Sequence, residues 1–225
     1  DVYKRQIFLT AGSLLSLLFF RSRGPFLYLL FLAAIAAIVQ YLADGLRWQM
    51  LATIYILPAM FITYKYTIVN RFTGTILGAW FLISAFIPWA VPVFTMPAPE
   101  GDFSIGSETF HWVDSSRLEW FTDENDNDVR EIMVQAWYPS ENSDSIGTNS
   151  YMDFMNLRSK TLASAGKIPA FLPSHLNMIS TNTRNDIACS NKLEKYPVLI
   201  FSHGITGSRH LHQILFEHLA SKGYI

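Results

Sequence analysis

The stretch of this chain with the most chemistry in it is His203-Gly204-Ile205-Thr206-Gly207-Ser208, which directly follows the apolar run 197–202 (PVLIFS). Two glycines so close together let the backbone turn sharply and leave N–H groups pointing outward near the start of a helix. Such donors stabilise negative charge developing on an acyl oxygen. An ordinary strand-to-helix turn would use the same residues. A phosphate-binding loop is disfavoured, because the P-loop lysine is missing and GITG is too short. His210 and His212 do not form a metal pair, since i and i+2 diverge on a helix. His175 and His218 read as packing or surface residues.

The loop needs a strand before it and a helix after it, and the pattern supplies both. The 197–202 run, bounded by Pro and Gly, suits a strand buried on both faces. In 209–222, Leu211, Ile214, Leu215, His218 and Leu219 follow an amphipathic helical spacing. Ser208 is the expected N-cap and Gly223 the C′ glycine. Strand, turn, helix and a new strand from Tyr224 make a βαβ unit and imply a parallel sheet. Ligands in such sheets bind beyond the carboxyl ends of the strands, which is where the loop lies.

Upstream, 131–138 (EIMVQAWY) alternates with the period of a strand, and 108–113 is expected to pair with it. The acidic run 123–128 superficially resembles a calcium loop. The required sixth-position glycine is Asp128 and the twelfth residue is Val134, so a solvated hairpin turn is expected. Helical spacing marks 151–165, and a short turn is expected at 171–178. This long insertion between strands has the size of a lid or binding element, or of a packing excursion.

The rest of the chain is of another kind. Of 225 residues, 50% are hydrophobic and only 16% charged, low for a soluble domain. Net charge is −1, so a disordered chain is excluded, and one cysteine excludes a disulfide framework or a Cys-based zinc site. Between Ile7 and Met96 the only charges are Arg21, Arg23, Asp44, Arg47, Lys65 and Arg71. From Pro97 onward there are 10 basic and 16 acidic residues, net −6, together with all six histidines. Spanning helices need about 20 apolar residues. The segment 25–42 qualifies, 48–64 and 73–94 do so more weakly, and 7–20 is short. Four crossings would put Arg21, Arg23, Lys65 and Arg71 on the cytoplasmic side and everything after Phe94 outside; three would reverse that. The four segments hold no ionisable residue of the kind that marks a substrate path, which argues against a transporter. Residues 1–6 match nothing that follows and are expected to be a scar. The last residues look like a helix end entering a new strand, so the domain is expected to continue.

YPVLIFSHGITGSR followed by LASKGYI resembles the platelet-activating factor acetylhydrolase family, of the lipoprotein-associated phospholipase type. The upstream Ser104-Ile105-Gly106 to Trp112 and REIMVQAWYPSE are similar to that family's first β-hairpin, and LPSHLN to bacterial members. The resemblance covers roughly 97–225, with FSHG its distinctive block. It implies an α/β-hydrolase with a Ser-Asp-His triad and calcium-independent hydrolysis of short or oxidised acyl chains of phospholipids. It places one oxyanion donor at the backbone N–H of Ile205, with Gly204 and His203 shaping the loop. His203 is not the triad base, which comes last in chain order; it is expected to bond the loop backbone. No G-x-S-x-G occurs in these 225 residues, so nucleophile, acid and base are expected downstream, and the chain by itself is expected to be inactive.

The expected architecture is therefore an α-helical membrane region of about four helices (7–96), followed by the incomplete N-terminal part of an α/β-hydrolase domain (97–225). The expected partners are membrane lipid and an ester substrate, most simply a phospholipid, with no cofactor, no metal and no nucleic acid. Two other functions share these residues: an esterase of the dienelactone-hydrolase or cutinase type acting on non-lipid esters, and a non-catalytic membrane protein with a degenerate hydrolase-like domain.

Overall fold

The computed structural model describes residues 2–20, 23–122, 125, 127–141, 149–204 and 207–225. They form two compact units. One comprises Asp1–Val93 and Asn156–His175, the other Phe94–Met155 and Leu176–Ile225. The inserted helical stretch Asn156–His175 belongs to the first of these units.

The first unit is helical. It consists of α1 (Val2–Leu15) with a π-helical turn at Ser16–Phe20, α2 (Arg23–Asp44), a 3-10 turn at Trp48–Met50, α3 (Leu51–Lys65) and α4 (Arg71–Ala90). Residues 2–6, set apart in the sequence as polar, form the first turn of α1, with Gln6 fully buried. Asn70 caps α4 through a reciprocal pair of bonds with Thr73, 3.0 Å each way, which satisfies donors that the helix leaves open. Leu14, Leu17, Phe26, Ile56, Met60 and Leu77 make the core, and the Phe26 and Tyr64 rings meet at 4.8 Å.

Beside that apolar core the unit also buries polar side chains and exposes large apolar ones. Gln6, Thr10, Ser13 and Ser16, spaced i, i+4, i+7 and i+10, form a buried stripe along α1 and its π turn. The Thr10 and Ser13 hydroxyls donate to the carbonyls one turn earlier, the usual way a hydroxyl is satisfied inside a helix bundle. Phe72, Leu82, Phe86 and Trp89 point outward instead. Among the described residues, two helices are long and apolar enough to cross a membrane, Gly24–Asp44 and Arg71–Ala90. All four segments are helical, but α3 has only 15 residues because its start is taken up by the 3-10 turn, and α1 has only 14 before the π turn.

The second unit is built on a mixed three-stranded sheet in the order β2-β1-β3. The strands are β1 (Ser104–Leu118), β2 (Val129–Ser140) and β3 (Thr183–Arg184). β1 and β2 form a long antiparallel hairpin whose register slips between Asp114 and Leu118. β3 pairs parallel to β1 at Ile105 and Gly106. The hairpin is longer than either expected strand, because cross-strand pairs such as Trp112 with Ile132 and Phe110 with Val134 carry the ladder outward past the core. Two of the residues in the expected turn, Asn125 and Asp128, are joined by a backbone bond of 3.1 Å; Asp123, Glu124 and Asp126 lie outside the described residues. The inserted helix is α5 (Met155–Gly166), followed by a 3-10 turn at Leu172–Met178. The last helix, α6 (Gln213–Ser221), packs Ala220 and Phe216 onto Ile105 and Trp137 of the sheet. Gly223 ends it with φ of +95°, a conformation that side chains resist.

Candidate active site loop

The run 197–202 arrives at the loop in an unexpected state. It lacks strand structure, and Val198, Leu199, Ile200 and Phe201 are exposed. The buried strand read from its apolar composition is corrected accordingly: burial on both faces requires layers on both faces, and among the described residues only Phe201 finds a partner ring, His212 at 4.9 Å and Phe216 at 5.1 Å. The parallel pairing is nonetheless begun. Leu199 N–H donates to the Ile225 carbonyl (2.6 Å) and Ile225 N–H to the Pro197 carbonyl (2.9 Å), the alternation of a parallel ladder. Segment 197–202 and Ile225, on either side of α6, are thus joined by two backbone bonds of parallel type without strand structure.

Past Ser202 the chain turns. Gly207 N–H donates to the Gly204 carbonyl at 2.8 Å and closes the turn. The Nδ1 atom of the exposed His203 ring lies 3.0 Å from that same Gly204 oxygen. Ile205, the expected oxyanion donor, and Thr206 lie outside the described residues. The two glycines differ. Among the described residues, a Cβ on Gly204 would meet nothing within 4 Å, and its φ is not in the left-handed region. At Gly207 a Cβ would sit 3.0 Å from the His203 Cβ and 3.1 Å from the Gly204 oxygen, so Gly207 is the tighter of the two positions, where a side chain makes its neighbours give by a few tenths of an ångström.

The loop does not enter α6 directly. Leu211 N–H reaches the Ser208 carbonyl and Gln213 N–H the His210 carbonyl, so 208–212 is a pair of turns. His212 takes the N-cap place without a side-chain bond, and the expected Ser208 cap is corrected: its hydroxyl accepts from His210 N–H at 3.4 Å, five residues before α6 begins. Any charge held at this loop is thus met by turn amides rather than by the first turn of a helix.

What braces the far side of the loop is a cluster that sequence reasoning passed over. Arg209 Nε donates to Gln135 Oε1 on β2 at 2.8 Å, and its terminal nitrogen pairs with Asp153. The other Asp153 oxygen lies 3.2 Å from His210 Nε2. His210 is buried, with Nδ1 unpartnered, and its ring meets Tyr151 edge-on at 6.4 Å. Burial pushes the Tyr151 hydroxyl pKa above its ordinary value. Arg209 stands inside the family-like block but carried no role there. Asp153 and Gln135 lie 56 and 74 residues away in sequence, a separation that no local pattern bridges. His212 turns instead to Phe201, and His175 bonds the Leu172 carbonyl in the other unit. Among the described residues no three His, Cys, Asp or Glu side chains group to hold a metal.

A glycine turn set beyond a parallel-paired segment, feeding a helix that packs on a mixed sheet, is a hydrolase-like arrangement. Residues 91–225 match the family described as platelet-activating factor acetylhydrolase, isoform II, and the chain belongs to that family. A solved structure of a ferulic acid esterase from Streptomyces cinnamoneus is similar to it at 27% identity and a TM-score of 0.44, over 58% of this chain and 34% of that one. The chain thus spans about a third of that esterase's length. No curated protein matches it.

Proposed function

We propose that this chain is the amino-terminal part of a membrane-anchored serine esterase that hydrolyses short or oxidised acyl esters of phospholipids without calcium. The observation that carries the reading is the family match across 91–225, which includes the whole 203–207 turn. In this mechanism a serine oxygen attacks the ester carbonyl and a histidine accepts its proton. The carbonyl oxygen becomes an oxyanion beside the loop, with the Ile205 N–H as one donor. The tetrahedral adduct then collapses, and the leaving alcohol takes the proton from the histidine. Water repeats the cycle on the acyl-enzyme. Serine, aspartate and histidine come from sequence other than these 225 residues. Gly204, His203 and the 2.8 Å closure at Gly207 hold the loop in shape, and Arg209 ties it to β2.

The helical unit is the anchor. Two qualifying helices and an apolar exterior over a buried polar stripe support this. With all four helical segments crossing and Arg21, Arg23, Lys65 and Arg71 in the cytoplasm, the esterase part faces away from it. Anchoring raises the local concentration of lipid substrate.

The test is turnover by the full reading frame. A phospholipid with a short sn-2 chain is hydrolysed in the presence of a chelator, and faster than p-nitrophenyl butyrate. Preference for the soluble ester refutes the lipid substrate, and loss of activity in chelator refutes calcium independence. A topology reporter fused after Ile225 reads non-cytoplasmic; a cytoplasmic signal refutes the orientation.

A further inference from the structure

We propose that Asp153 is a positioning residue for the esterase reaction: its carboxylate grips the two residues at the exit of the 203–207 loop and so sets the oxyanion donor of residue 205. The inference rests on the esterase reading above. The loop closes on itself through one bond, Gly207 N–H to the Gly204 carbonyl at 2.8 Å. Its exit is a pair of turns, Leu211 to Ser208 at 3.2 Å and Gln213 to His210 at 3.1 Å, rather than a helix. An isolated turn bond fixes several dihedral angles for about 1 kcal/mol and gains nothing from neighbouring bonds. What holds the loop still must therefore come from side chains.

Asp153 supplies that hold. One of its oxygens pairs with the Arg209 terminal nitrogen, and the other lies 3.2 Å from His210 Nε2. Arg209 Nε donates to Gln135 Oε1 at 2.8 Å, and Gln135 Nε2 donates to the Ser107 hydroxyl at 2.9 Å. The tie runs from β1 and β2 through Arg209 to Asp153, and from Asp153 back to the loop exit at His210. The residue types fit this task. With the His210 proton on Nε2, both carboxylate oxygens face donors, and an ionised carboxylate only accepts. The planar guanidinium serves two partners in fixed directions, which a lysine ammonium does not. The Arg209 side chain is only 14% exposed, so without Asp153 its charge would be left uncompensated beside the loop. Asp153 is itself held in place. Met152 and Met155 on either side are buried, and Phe154 adopts φ of +51°, which bulky side chains rarely take. Such strain persists where the surroundings over-determine it, and it clusters at functional elements.

The experiment measures kcat and KM of the full reading frame on a short-chain ester, and hydrogen–deuterium exchange of the 203–208 amides. D153N keeps the shape of the side chain but turns an N–H2 group toward a donor. R209K keeps the charge but not the fork. Each lowers kcat per folded molecule about tenfold and leaves KM within about twofold, because a displaced oxyanion donor is felt in the transition state. The double variant is no slower than the worse single one, since both cut the same tie. In each, the 203–208 amides exchange about tenfold faster while those of β1 and β2 keep the parent's rate, the scale of one weakened charged hydrogen bond. D114N, at an exposed carboxylate paired with Arg117, keeps the parent's kcat. Parent-like kcat per folded molecule in both D153N and R209K overturns the positioning role, even where Tm falls. So do additive losses in the double variant, and so does a rise in KM at unchanged kcat. An inactive parent protein refutes the esterase reading instead. Exchange then still decides the grip on the loop, and an unchanged rate at 203–208 in D153N overturns it.

Discussion

Gly207→Ala is the sharpest perturbation of the loop. The added Cβ falls 3.0 Å from the His203 Cβ, 3.1 Å from the Gly204 oxygen and 3.4 Å from the Gly204 nitrogen. Two of those three atoms belong to the backbone that forms the turn, so relief requires the turn to open. Opening it costs the 2.8 Å closure between Gly207 and Gly204, worth about 1 kcal/mol. It also moves the amide of residue 205, placed here as an oxyanion donor. Loss of one such donor costs about 3 kcal/mol, or roughly a hundredfold in kcat. Gly204→Ala is the internal control, since its Cβ enters open space. In the full reading frame, assayed on a short-chain ester, Gly207→Ala lowers kcat by about tenfold to a hundredfold. KM changes little, because the donor acts on the transition state. Gly204→Ala stays within about twofold of the parent, as an unstrained surface change does. Equal kcat for both variants and the parent would refute the oxyanion assignment. An equal loss for both would refute the distinction drawn between the two glycines.

Arg209→Met removes the tie from the loop to Gln135 and Asp153; it is expected to cost about 1.5–3 kcal/mol, read as a lower Tm, and a double-mutant cycle with Asp153→Asn is strongly non-additive. Glu217 is buried and accepts from Asn182 Nδ2 and Gln213 Nε2, each at 2.8 Å. Glu217→Leu leaves the Gln213 amide without this acceptor, while Asn182 Nδ2 keeps the Pro97 carbonyl at 2.9 Å, and destabilises the sheet unit by about 1–3 kcal/mol, seen as earlier thermal loss of its near-ultraviolet signal. Tyr138 and Tyr151, both pushed up chiefly by burial, titrate later than free tyrosine in an alkaline ultraviolet titration. Their contribution to stability is complete below the ordinary tyrosine pKa and is lost as pH rises through the elevated ones. Asp114 accepts from Ser116 and Arg117 and is held at a pKa of about 2. Its carboxylate signal in NMR stays ionised down to that pH, and its contribution is present above the ordinary aspartate pKa and fades as pH falls through about 2.

Local chemistry was legible in this chain wherever the physics is local. Alternation in EIMVQAWY predicted β2, because a strand's period is local. Gly223 was readable as a helix stop for the same reason, since no other residue accepts its φ cheaply. Helical spacing predicted a helix in 209–222, of which α6 fills Gln213–Ser221. The stripe Leu211, Ile214 and Leu215 is exposed, however, and Gln213, Glu217, Ala220 and Ser221 are buried instead, a correction that only the packing decides. The apolar run before the loop misled on burial, because composition records what a segment can bury and not which layers are present to cover it. The tertiary structure alone decided which loop glycine is the tighter, since that depends on where His203 and the Gly204 carbonyl come to rest. It alone joined Asp153, Arg209 and Gln135. Those contacts are set by the packing of distant segments, which a pattern of neighbouring residues does not encode.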